Sequence, residues 1–178
     1  MTLTLRTPGN IDELLNYRLL RLYAVSGAPV LRLLEGRYGI SRREWRILAL
    51  LARHGELSPS SLAEQAHLDR PRATRGVQML VDKQLALRSA LKGDARRARI
   101  ALTPAGKKLY AELFPQIASL NQSVVSTLDD ALVDALDQAL QRLTEQAERL
   151  NLEVQRDVRA DRRAGNSARP QRWPQVDV

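Results

Sequence analysis

Between Arg70 and Arg99, nine basic side chains (Arg70, Arg72, Arg75, Lys83, Arg88, Lys92, Arg96, Arg97 and Arg99) face only two acidic ones, Asp82 and Asp94. This excess supplies nearly all of the chain's formal net charge of +8. Charge focused on so short a stretch attracts a polyanion, and double-stranded nucleic acid is the commonest one. At helical spacing Arg70, Arg72, Thr74, Arg75 and Gln78 share an outer face, while Leu68, Ala73, Val77, Leu80 and Val81 share the inner one. Arginine grips guanine through two hydrogen bonds, glutamine pairs with adenine, and threonine meets a base or a phosphate. A solvated surface helix usually alternates charge sign, but this face carries no acid before Asp82.

Other chemistries are poorly supplied. There is no cysteine, and His54 and His67 are the only imidazoles, so neither a disulfide nor a metal site is expected. No nucleophile elbow, Gly-rich phosphate loop or His-rich spacing occurs, which predicts no catalytic residue, no cofactor and no enzymatic activity. Readers of RNA loops display stacking aromatics, and Arg70 to Arg99 holds none. A module that binds RNA or protein without small-molecule control remains the alternative reading. The start, MTLTLRTPGN, lacks the apolar run of a signal peptide, and no stretch reaches the roughly 18 apolar residues of a membrane span. A cytoplasmic protein with no membrane partner is the expectation.

The elements that must position these side chains are mostly helical. The chain has 178 residues, 44% hydrophobic and only 4% aromatic, with Leu and Ala supplying the apolar content. Those residues favour helix, and the length suffices for one core. Asn10 caps a first helix from Ile11 to about Gly27, which Pro29 breaks or kinks before it resumes to Arg37. Ser41 and Glu44 form a capping box for a helix through Arg53 that Gly55 ends. Ser58 and Pro59 open a third helix, His67-Leu68-Asp69 reads as a turn, and a fourth helix runs from about Arg70 to Lys83. Leu85 to Ala90 and Arg97 to Leu102 alternate as two strands joined through Lys92-Gly93-Asp94. From Pro104 the pattern is helical again. Leu128, Leu132, Leu136, Leu140, Leu143, Ala147, Leu150 and Val154 draw one apolar stripe, which the N-terminal helix covers in part and a second copy of the chain covers in the remainder. Beyond Arg159 the chain is Arg-, Pro- and polar-rich without periodicity.

Helix, tight turn, helix and basic hairpin make a winged helix-turn-helix, so the fold class is mainly α. The run SPSSLAEQAHLDRPRATRGVQMLVDKQLALR, followed by GDARRARIALTPAGKKLY, resembles the multiple-antibiotic-resistance regulator (MarR) family, with similarity extending back through YGISRREWRIL. The most specific piece is Asp94 and Arg96 followed by Leu102-Thr103-Pro104-Ala105-Gly106, where that family carries an Asp-x-Arg wing and a Leu-Thr-x-x-Gly helix start. The resemblance implies N-terminal helices over 1–40 contributing to dimerisation, a winged helix-turn-helix DNA-binding lobe over 41–103 and C-terminal dimerisation helices over 104–159, while composition predicts a disordered basic tail over 160–178. It further implies a homodimeric repressor that binds a palindromic operator and releases it when a small molecule binds. Arg75 falls on the family's recognition-helix arginine. Asp94 and Arg96 fall on its wing pair, with Arg97 beside them, and Arg96 would enter a narrow A·T minor groove. Gln84 stands where the family commonly has Gly after the recognition helix, and Gly76 lies inside that helix at a cost of about 1 kcal/mol relative to Ala.

A ligand site is also implied. Ile11, Leu15, Arg18 and Leu22 step by four, three and four, so Arg18 falls on an apolar face where its guanidinium needs a partner. That partner is either an interface carboxylate or a carboxylate ligand. Trp45 shares a face with Leu48 and Ala52 and serves either the core or a pocket. In the resembled family the pocket lies where the first two helices meet the DNA-binding lobe, and its ligands are often small phenolic or aromatic acids. Arg18, Tyr38, Trp45 and His67 lie on segments that could line it, with an arginine holding the carboxylate and aromatics sandwiching the ring. His67 is otherwise a turn residue.

Overall fold

Four helix starts are closed by side-chain caps that the sequence already displays. Ser41 Oγ accepts from the Glu44 amide, while Glu44 Oε2 accepts from the Ser41 amide at 2.7 Å. Ser58, Asp69 and Thr103 accept from the amides of Ser61, Arg72 and Gly106, and each is followed by a proline in the first helical turn or two. The computed structural model describes residues 5–91 and 94–157, and the side chains of these except 90–97 and 155–157. Lys92, Gly93 and the expected tail over 160–178 lie outside the described residues. The helices are α1 (Leu15–Leu31), α2 (Arg42–His54), α3 (Pro59–Gln65), α4 (Arg70–Asp82), α5 (Pro104–Val125) and α6 (Asp130–Asp157), with strands β1 (Ala86–Leu91) and β2 (Asp94–Leu102) between α4 and α5.

The first helix departs from expectation at both ends. Asn10 caps only a 3-10 turn, Ile11–Glu13, and Leu14 is extended. The buried Glu13 carboxylate turns back to accept from the Gly9 amide at 2.7 Å and from Asn10 Nδ2 at 2.9 Å, which closes that turn on itself. At Pro29, where a break or a kink is expected before the helix resumes to Arg37, no break occurs. Proline removes a single amide donor, and α1 runs through it into a π-helical turn over Arg32–Arg37, where the ladder widens.

Helices α2, α3 and α4 close on the hairpin around Ile47, Leu48, Leu51, Leu62, Leu80 and Ile100. The strands pair antiparallel with Ala86 opposite Leu102 and Ser89 opposite Arg99, and β2 begins three residues earlier than the pattern suggested. Leu57 adds a one-residue third strand, donating to Ile100 O at 3.1 Å and accepting from its amide at 2.9 Å. A second cluster of Leu34, Ile40 and Leu113 seats α5 against the π-helical turn.

The chain divides into two compact units between Thr127 and Leu128. The second, taken by itself, is α6, capped where Asp129 Oδ1 accepts from the Leu132 amide at 2.8 Å. Its Leu132, Leu136, Leu140, Leu143, Leu150 and Val154 are all exposed. Among the described residues, no helix is long and apolar enough to cross a membrane.

Candidate functional site

Helix α4 carries the residues expected to read bases. It buries Ala73, Gly76, Val77 and Leu80 against α2 and α3 and leaves Arg70, Arg72, Thr74, Arg75 and Gln78 exposed on one side. Three of the exposed side chains are braced by their own helix. Arg72 Nε lies 3.3 Å from Asp69, Arg75 Nε donates to the Pro71 carbonyl at 3.4 Å, and Gln78 donates to Asp82 at 2.7 Å. Gly76 marks a close approach of helices. A Cβ there would sit 2.5 Å from Ile47 Cδ1 and 3.2 Å from Arg43 Cδ, so α2 packs where a methyl would stand.

Both ends of α4 are fixed. Before it, His67 takes a left-handed conformation (φ 50°) and its amide donates to Glu64 O at 3.0 Å, which makes it the turn residue. After it, Gln84 is left-handed (φ 58°), as a residue in a glycine-favoured position must be. Gln84 is held there by two bonds. Its amide donates to Val81 O at 2.8 Å, and its carbonyl accepts from Thr103 Oγ1 at 2.7 Å. Thr103 also caps α5 through Gly106, whose missing Cβ would collide with the Leu85 carbonyl oxygen. Lys83 anchors the same corner by donating to the buried Glu44 carboxylate and, at 2.7 Å, to Gly39 O. Burial alone would raise the Glu44 pKa. The bonds from Lys83 and Ser41 outweigh it and hold the carboxyl below its ordinary value of 4.5. Asp94, Arg96 and Arg97 lie in β2 by backbone, and their side chains are outside the described residues.

A second feature opens on the other side of α2. Helices α1, α2 and α5 enclose a cleft of about 770 Å³. Its aromatic wall is Trp45 stacked on Tyr110 at 5.7 Å between centroids, with Phe114 5.4 Å further on. Arg42, Arg46 and Arg53 line it as well, and no acidic residue among the described residues does. Arg46 Nη1 donates to the Ala66 carbonyl at 2.9 Å, joining the cleft to the turn that precedes α4.

Of the four residues expected at a ligand site, the cleft contains Trp45 alone. Arg18 is exposed on α1 outside it. Tyr38 donates to Glu112 at 2.7 Å and accepts from Gln116 at 2.8 Å, tying the π-helical turn to α5. His67 belongs to the turn already described. The arginines at 42, 46 and 53 are not among the residues singled out from the sequence. Their common spacing with Trp45 and Ala49 along one side of α2 was the signal available.

Residues 40–98 match the sequence model of the MarR family. Over 78 residues the chain is 37% identical to the HTH-type transcriptional regulator FarR of Neisseria gonorrhoeae, a match covering 44% of this chain and 53% of FarR. The chain therefore spans about half the length of that curated relative. Among solved structures, a MarR family transcriptional regulator from Silicibacter pomeroyi DSS superposes with a TM-score of 0.67 at 26% identity, covering 79% of this chain and 94% of its own. NadR in complex with 4-hydroxyphenylacetate superposes with a TM-score of 0.64 at 27% identity, covering 77% and 99% respectively.

Proposed function

Residues 40–98 match the MarR family of transcription regulators, and from that premise we propose that the chain is a MarR-type, ligand-responsive, DNA-binding repressor rather than an enzyme. It acts as a homodimer on a palindromic operator and lets go when a small aromatic or phenolic acid binds. The observation that carries this reading is the exposed, acid-free row Arg70, Arg72, Thr74, Arg75 and Gln78 on a helix fixed at both ends. A rigid helix with donors on one side suits the major groove, and two such helices must sit about 34 Å apart to meet successive turns of one face.

The effector part rests on the cleft. Three arginines beside a stacked aromatic wall suit a flat ring bearing a carboxylate, and NadR was solved with such an acid bound. The bond from Arg46 to Ala66 O gives a ligand in the cleft a route to the turn before α4. A ligand shifts DNA affinity only as far as it prefers one of the two arrangements.

The test is fluorescence anisotropy with labelled duplexes from the gene's own upstream region, against single-stranded competitor and across salt. Duplex preference is expected, with log affinity falling against log salt by about 0.9 per phosphate contacted. Arg75→Ala should relax sequence preference by about 1–3 kcal/mol per lost bidentate base contact. A flat salt response, or equal affinity for single strands, would favour the RNA or protein module instead.

A further inference from the structure

We propose that Arg42 is the anion anchor of the cleft, and that Gly27 is the residue that makes room for it. This assignment rests on the cleft being an effector site and names what selects the effector.

The three arginines of the cleft are not equivalent. Arg46 has committed Nη1 to the Ala66 carbonyl. Arg53 is exposed near the end of α2. Arg42 is half-buried, and its guanidinium is fixed from two sides. Nη2 donates to Gly27 O at 2.7 Å, and the guanidinium carbon lies 5.4 Å from the centroid of the Tyr23 ring. Its Nε is buried with no hydrogen-bond partner, and no carboxylate among the described residues pairs with it. A buried charged donor left unmet is costlier than a neutral one. Arg42 lines the cleft, and a carboxylate there supplies the missing countercharge.

Gly27 belongs to the same device. It sits inside α1, where glycine is a poor helix former and no left-handed backbone requires it. A Cβ at this position would lie 3.0 Å from Arg42 Nη2 and 3.3 Å from its Cζ. Even a methyl there would make the guanidinium give by a few tenths of an ångström. Trp45, three residues along α2 from Arg42, presents its side chain about 5–6 Å away at Cβ. A short acid fits that spacing, with its carboxylate on Arg42 and its ring on the Trp45–Tyr110 stack.

The test compares 4-hydroxyphenylacetate with its neutral amide, 4-hydroxyphenylacetamide, by calorimetry on the full chain. The unaltered protein should prefer the acid by about tenfold or more. Arg42→Gln should abolish that preference by weakening the acid and not the amide. Gly27→Ala, which keeps the arginine, should weaken the acid several-fold, and it keeps the test decisive if Arg42→Gln does not fold. If the unaltered protein prefers the acid and Arg42→Gln keeps that preference, the anchor lies elsewhere and only this assignment falls. Equal binding of acid and amide has the same consequence. If neither compound binds, the effector reading of the cleft falls with it.

Discussion

Glu44 serves two elements at once. One carboxylate oxygen completes the capping box of α2, and the other takes Lys83 from the end of α4. Ser41 and Glu44, three residues apart, made the first role legible in the sequence. Lys83 is 39 residues away, so the second is visible only after folding. Glu44→Gln should destabilise the protein by about 2 kcal/mol near neutral pH, because Lys83 loses its countercharge and the box loses its ionised acceptor. The pH dependence has a definite sign. The folded protein holds this carboxyl below 4.5, so the ionised form is the stabilising one. Its contribution is complete above that value and is lost as pH falls through the lowered pKa. Chemical denaturation of both proteins should show a constant gap from about pH 6 to 8 that closes in acid. A gap that persists unchanged below about pH 3 would mean that shape, not charge, explains the loss.

At the scale of elements, α4 is held by neighbours distant in sequence. The Leu102-Thr103-Pro104-Ala105-Gly106 segment caps α5, and the same threonine secures the left-handed Gln84 that ends α4. Gly106→Ala should therefore cost more than its mild helix preference suggests. The new methyl meets the Leu85 carbonyl, a backbone atom that cannot rotate away. A loss of about 1–3 kcal/mol is expected by thermal or chemical denaturation, together with weakened duplex binding as α4 shifts. Stability equal to the parent's would show that α5 slides freely past Leu85. The local signals for α2, α3, α4 and the hairpin were strong because caps, turns and periodicity agree there. The run of α1 through Pro29 was not legible, since packing rather than propensity decides whether one lost amide ends a helix. Leu57 escaped notice because a single bridging residue has no periodicity. The cleft was legible only at Trp45. Its other walls, Tyr23 and the Tyr110–Phe114 pair, come from α1 and α5, which no local pattern joins to α2.

At the scale of the whole molecule, each unit leaves apolar surface uncovered. In the first, Leu20 and Leu22 of α1 are 59% and 56% exposed. In the second, Leu132, Leu136, Leu140 and Leu143 run down one side of a helix 28 residues long. A helix with an open apolar stripe draws most of its stability from what packs on it, and a second copy of this chain supplies that partner under the proposed function. Leu136→Glu combined with Leu140→Glu puts two carboxylates on the stripe and changes no residue of α4 or of the cleft lining. The double variant should sediment as a monomer at concentrations where the parent is a dimer. It should also lose its preference for a two-half-site duplex while keeping weak, salt-sensitive affinity for a single half-site, because one α4 still reaches one groove. A double variant that stays dimeric and holds the full operator as tightly as the parent would move the subunit contact off α6, leaving the exposed leucines of α1 as the surface to mutate next.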